Sequence, residues 1–358
     1  MKNTAKNKRT PNLKRHRLSA IVTPAYVQGA VSALPVGEAL YPCRLPHTKK
    51  YLFPSPADSL WDKAICTSGV RLRMETDATS LTLHVDPLTA FNRDLIPGHA
   101  FDIVIDNKII KTLCSSEGDT EVHFDKIGSG LRVLELWLPP SGPVGLKALT
   151  AEGASVLRPI PDRRPMWVTW GSSLTHCVRA GSASRIWPGT VSRKHNLNLM
   201  NMGFGGSCHL DPMVAMVIRD LPASYISMKL GINAVGQSLS ARTYPPLVTA
   251  AVTIIREKQP HTPIVLASPL CSPPRESTPS ATSYTLEGMR RDMEIVHRSL
   301  VENGDMNLYY VNGLELFGPE DIRKHTKDQL HPEAKGIDLQ AQYFSRLVMP
   351  LLLGKAVS

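Results

Sequence analysis

MWVTWGSSLTH, residues 166–176, runs an almost wholly apolar segment straight into a glycine and two serines, and its reading decides the architecture of the second half of the chain. MWVTW lacks polar alternation, which marks a strand buried on both faces, and Gly171, Ser172 and Ser173 mark a sharp corner at its end. Apolar runs at 197–204, 224–230, 263–267 and 308–311 have the same character. Helical patterns separate them, clearest at 245–258, 286–302 and 332–353. This alternation predicts an α/β fold: a parallel sheet with helices on both faces, in a three-layer α/β/α arrangement, with the working residues at the strand ends.

Upstream the period changes. Segments 71–75 (RLRME), 80–85 (SLTLHV), 100–110, 120–124 and 131–138 alternate apolar and polar residues. Turn formers lie between them: Asp77, the pair Asp106 and Asn107, and the glycines at 128 and 130. Short, regularly punctuated strands predict an antiparallel β-sandwich. The proline-rich basic stretch RPIPDRRP, 158–165, reads as a linker. The expected organisation is a flexible basic segment over 1–34, an all-β sandwich over 35–160 and a catalytic α/β domain over 161–358.

Composition sets the limits. With 42% hydrophobic and 20% charged residues the chain has the make-up of a folded globular protein, which excludes disorder along most of its length. No apolar run reaches the roughly 20 residues needed to span a bilayer, so no transmembrane segment is expected. The net charge of +10 is concentrated in Lys2, Lys6, Lys8, Arg9, Lys14, Arg15 and Arg17, which suits a solvated tail, and no nucleic-acid partner is expected. Residues 18–34 faintly imitate a secretion signal, but Pro24, Tyr26 and Gln28 interrupt them, and a cytoplasmic location is the expectation over a secreted one. Six scattered cysteines form no C-x-x-C pair, as reduced thiols would be distributed. There is no phosphate-binding G-x-x-x-x-G-K-[ST] loop, and the Ser/Pro/Thr-rich stretch 271–283 reads as a surface connection rather than a lid.

Four segments carry chemistry. In GSSLT a serine sits at a strand-to-helix corner, where a base could activate the hydroxyl and backbone N–H groups could receive an oxyanion. NMGFGG supplies Gly203, Gly205 and Gly206, which let backbone turn sharply and approach a ligand. KLGINAV places the Asn233 amide just past a strand, able to donate to developing negative charge. DQLHP sets Asp328 three residues before His331, a spacing at which the carboxylate can reach back to one imidazole nitrogen and leave the other free as a base. Pro332 is expected at the first position of the last helix.

In this order the four segments resemble the SGNH/GDSL hydrolases, a family of serine esterases whose blocks centre on Ser, Gly, Asn and His. The likeness spans the second half of the chain, 166–353. It implies Ser173 as nucleophile, His331 as base and then acid, Asp328 as its orienting partner, and an oxyanion hole from the N–H groups of Ser173 and Gly206 with the Asn233 side chain. It implies chemistry without metal or cofactor. Ser172 stands where the family name has Asp, as in a branch with G-S-S-x-T and an N-terminal β-sandwich, and Ala234 follows Asn233 where another polar residue is common. His176 and His209 are candidates for substrate contact, and His325 is expected to be solvated. The implied activity is removal of a short acyl group, acetyl foremost, from a sugar or other small-molecule ester. An acyltransferase or thioesterase-like enzyme would use the same residues, and a non-catalytic binding protein is the reading from another class. Neither the natural ester nor the oligomeric state is legible.

Overall fold

The opening run forms the strand Met166–Gly171, and in the computed structural model, which describes residues 16–55, 59–89 and 99–354, it lies inside a five-stranded parallel sheet. Asn198–Gly203 flanks it on one side and Tyr225–Lys229 on the other, with Ile264–Ala267 and Leu308–Val311 beyond. The strand order reverses at Met166–Gly171, which opens a crevice at the C-terminal ends of the first and third strands. Successive side chains point to opposite faces. Val168, Trp170, Met200, Met202, Ile226 and Met228 fill a core beneath the helices Pro212–Asp220, Tyr244–Arg256 and Leu286–Glu302. Trp167, Leu199 and Val265 face the other way, under Trp187–Lys194 and Ala334–Leu347.

The preceding half is built from two antiparallel sheets. One has the order Ser32–Val36, Ala39–Cys43, Leu146–Ala154, Ser80–Val85, Glu121–Phe124, with His16–Ile21 also on Leu146–Ala154. The other has the order Leu157–Pro159, Arg71–Thr76, Arg132–Trp137, His99–Ile105, Lys108–Ser115, with Val27–Gln28 on Arg71–Thr76. Leu72, Met74, Leu83, Phe101, Leu134 and Leu149 close the core between them. Asp106 and Asn107, both at positive φ (49° and 63°), turn the run 100–110 into a hairpin, the backbone a two-residue loop requires.

Several expectations give way. Residues 16–34 are no flexible segment: His16–Ile21 extends the first sheet, and Tyr26 is buried in the sandwich core. Residues 1–15 lie outside the described residues. The nine-residue strand Leu146–Ala154, central to its sheet, carries too little alternation to be read from LKALTAEGA. The final helix begins at Ala334, not Pro332, because Pro332 pairs with Thr326 in an isolated bridge, and it breaks at Val348 ahead of Pro350. The stretch 158–165 is not a bare linker, since the Asp162 side chain is fully buried between Arg71 and Arg164.

The halves join along one strand. Asn198–Gly203 is the sheet's edge, so alternate carbonyls along it have no partner strand. Arg71 donates to the carbonyl of Leu199 (3.1 Å), and Arg44 to those of Asn201 (2.9 Å) and Gly203 (2.6 Å). Both arginines are fully buried. Two guanidiniums of the sandwich thus stand where a sixth strand would, and satisfy every second carbonyl of the edge.

Candidate active site

Gly171 and Gly203 end adjacent strands for a steric reason. A Cβ on Gly171 would lie 2.3 Å from Thr175 Oγ1, and one on Gly203 would lie 2.4 Å from the backbone nitrogen of His176. The short helix Ser173–His176 can therefore fold back against both strand ends only because they are glycine. Ser172 caps that helix: its Oγ accepts from the Leu174 N–H (3.3 Å), and the residue is buried. Trp187 Nε1 (2.7 Å) and the buried Lys229 Nζ (3.2 Å) both donate to the Leu174 carbonyl and hold the turn from behind. The corner thereby distinguishes the two serines. Ser173 Oγ, not Ser172 Oγ, lies 2.9 Å from His331 Nε2.

The DQLH loop is wound around its own carboxylate. Gln329 adopts positive φ (57°), and Asp328 Oδ1 accepts from the N–H groups of Leu330 (3.1 Å) and His331 (2.7 Å). Asp328 Oδ2 lies 2.8 Å from His331 Nδ1, the contact that places the imidazole proton on Nδ1 and leaves Nε2 to accept from Ser173. Partial burial raises the Asp328 carboxyl, but hydrogen bonds from His331 and the positive charge around it outweigh burial and hold it at about 2. Arg179 completes the frame: Nη2 donates to Asp328 Oδ2 (3.1 Å) and Nη1 to the His331 carbonyl (3.4 Å). No motif announces Arg179, whose role depends on the long-range meeting of 179 with 328–331.

Ser173 and His331 open on a cavity of about 380 Å³, which Gly205, Gly206 and Asn233 also line. Asn233 Oδ1 accepts from the Cys208 N–H (3.2 Å), which orients the amide. Among the described residues, the N–H groups of Ser173 and Gly206 and the Asn233 Nδ2 have no acceptor. Three donors are thus available beside one hydroxyl. Gly206 holds φ of +77°, which a side chain would strain.

The two candidate contact histidines separate. His176 lines the cavity but is 2% exposed, and both ring nitrogens are engaged: Nε2–H donates to the Pro140 carbonyl (2.9 Å), and Nδ1 accepts from the Gly205 N–H (3.4 Å). Burial first, then the nearby Arg44, pushes its imidazole well below the usual range, so it is neutral. It ties the glycine loop to the sandwich. His209 is not among the lining residues; it meets Ser238 Oγ (2.6 Å) and the Gly206 carbonyl (3.1 Å), bracing the glycine loop from its other side. The sequence also gave no sign of Lys63, Cys66 and Ser141, by which the sandwich reaches the cavity. Nor did it show that the stretch 271–283, read as a surface connection, would place Arg275 in the cavity wall.

The comparisons agree with this architecture. Residues 164–349 match the model of the GDSL-like lipase/acylhydrolase family, and residues 25–144 match that of the SsfX3 N-terminal domain. No curated protein matches the sequence. Among solved structures, a salicylyl-acyltransferase, SsfX3, from a tetracycline biosynthetic pathway is 31% identical, with a TM-score of 0.86 over 96% of this chain and 99% of that one. A GDSL-like lipase of Bacteroides ovatus is 18% identical, with a TM-score of 0.74 over 95% of this chain and 100% of that one. A family two carbohydrate esterase of Clostridium thermocellum is 15% identical, with a TM-score of 0.59 over 80% of this chain and 93% of that one, and like the lipase it shares the fold. From its sequence and its fold together, the chain belongs to the GDSL-like lipase/acylhydrolase family.

Proposed function

We propose that this chain is a serine esterase that cleaves a carboxylic ester through an acyl-enzyme on Ser173. The observation that supports it most is the run of contacts from Ser173 Oγ to His331 Nε2 (2.9 Å) and from His331 Nδ1 to Asp328 Oδ2 (2.8 Å). His331 takes the hydroxyl proton as Ser173 attacks the carbonyl carbon. The N–H groups of Ser173 and Gly206 and the Asn233 amide receive the oxyanion. The intermediate collapses, His331 returns the proton to the departing alcohol, and water repeats the sequence in reverse. Asp328 stays ionised and stabilises the imidazolium. The ester we favour is a short acyl group, such as acetyl, on a sugar or other small molecule; the fold shared with carbohydrate esterases supports this.

A second reading has an alcohol as acceptor in place of water, supported by the full-length likeness to a protein described as a salicylyl-acyltransferase. The cavity of about 380 Å³ has room for an acyl group larger than acetyl. The test is release of p-nitrophenol from p-nitrophenyl acetate, followed by product analysis with an alcohol added. Free acid as the main product supports the esterase, and a new ester well above the alcohol's share of the solvent supports transfer. Release no faster than by Ser173→Ala overturns both.

A further inference from the structure

Resting on that reading of the site, we infer that its substrate carries an anionic oxygen group, such as a carboxylate, and that Arg275 reads it. Among the described residues, the cavity lining includes three cations, Lys63, Arg179 and Arg275, and no acidic residue. Arg179 is committed elsewhere, to Asp328 (3.1 Å) and Glu333 (3.6 Å). Arg275 is not: Nη1 donates to Ser272 Oγ (2.9 Å), and no carboxylate of the described residues pairs with its guanidinium. The adjacent Glu276 is engaged by other donors, accepting from Arg290 and from the Ser272 N–H (2.8 Å). Ser272 in turn donates to the Gln329 carbonyl (3.1 Å), which fixes the loop of Arg275 against the DQLH segment.

Position adds to charge. Arg275 and Gly236 line both the cavity of Ser173 and a second groove of about 350 Å³ beyond it, walled by Pro274, Thr278 and Ser280. A guanidinium at that seam faces whatever part of the substrate runs from the acyl carbon toward the groove. Its planar fork matches a carboxylate with two donors, and one such charge-assisted contact in a partly enclosed site decides between charged and neutral substrates.

Two substrate pairs test this in the full chain: 3-carboxy-4-nitrophenyl acetate against p-nitrophenyl acetate, with the charge on the leaving group, and mono-p-nitrophenyl adipate against p-nitrophenyl hexanoate, with the charge on the acyl group. The reading is the ratio of kcat/KM, charged over neutral, compared between wild type and variant so that intrinsic reactivity cancels. In Arg275→Gln the ratio falls about tenfold or more for at least one pair, in line with loss of a charge-assisted hydrogen bond. Arg275→Lys recovers part of it, and added salt weakens the wild-type preference. A ratio in Arg275→Gln equal to wild type for both pairs, with melting temperatures alike, overturns the inference. Failure of the serine mechanism is separately visible, because Ser173→Ala would then keep activity on all four esters.

Discussion

In the α/β half, Ser173, Gly206 and Asn233 stand just past the ends of three neighbouring parallel strands, so the sheet itself brings them to one cavity. In the sandwich, Lys63, Cys66 and Ser141 reach the same cavity from a short helix and from loops, and they are placed by the contact between the halves. That contact is the edge strand Asn198–Gly203 with Arg44 and Arg71 laid along it. No carboxylate of the described residues pairs with Arg44: its Nε donates to the Cys66 carbonyl (2.8 Å) and its Nη2 to that of Lys63. One buried guanidinium therefore fixes both the strand leading to the glycine loop and the sandwich segment facing it. The difference teaches that chemistry and enclosure would have separate origins here: the sheet sets out the groups of the proposed mechanism, and the sandwich closes the wall opposite them.

The sharpest way to break the comparison is on the sheet side. Ser173→Ala is expected to lower kcat by about 10⁴-fold or more, and Asp328→Asn by about 10³- to 10⁴-fold, read on p-nitrophenyl acetate. Asn233→Ala should cost about 10²- to 10³-fold, and a loss under threefold would remove its amide from the oxyanion site. On the sandwich side, Arg44→Met strands four carbonyls of two different segments. It should lower unfolding free energy by about 3 kcal/mol or more and reduce activity with it. An unchanged denaturation midpoint would show that the halves stand independently. Ser172→Ala is the smallest effect, about 1 kcal/mol for a lost helix cap, with kcat nearly retained.

The pH response sharpens the picture further. Because the Asp328 carboxyl is depressed to about 2, its contribution to stability is present above the ordinary carboxylate value near 4 and is lost as pH falls through about 2. Asp328 therefore remains a carboxylate at every pH above about 4. Asp328→Asn should lower the urea midpoint above pH 5, where the carboxylate contributes, and should lose less stability than wild type as pH falls from about 4 to about 2.

The second half was legible because its signals are local. Buried strands announce themselves by composition, and Gly171, Ser173, Gly206, Asn233 and His331 follow strand ends or precede a helix, where periodicity changes. What escaped depends on tertiary meeting. Arg44, in YPCRLPH, carries no local signal of its role, and only the fold shows it buried against carbonyls from positions 157 and 159 residues away. His176 beside Ser173 reads as a candidate for substrate contact, and the fold adds what its spacing does not show, a neutral ring that bridges Pro140 and Gly205. Leu146–Ala154 escaped because a central strand with three partners needs no clean alternation of its own.

The most direct test of the account is the mass of the protein after reaction with a fluorophosphonate, with the adduct mapped to a peptide. The account predicts one adduct on Ser173, lost in Ser173→Ala and kept in Ser172→Ala. An adduct on Ser172, or none on the wild-type chain, would contradict it.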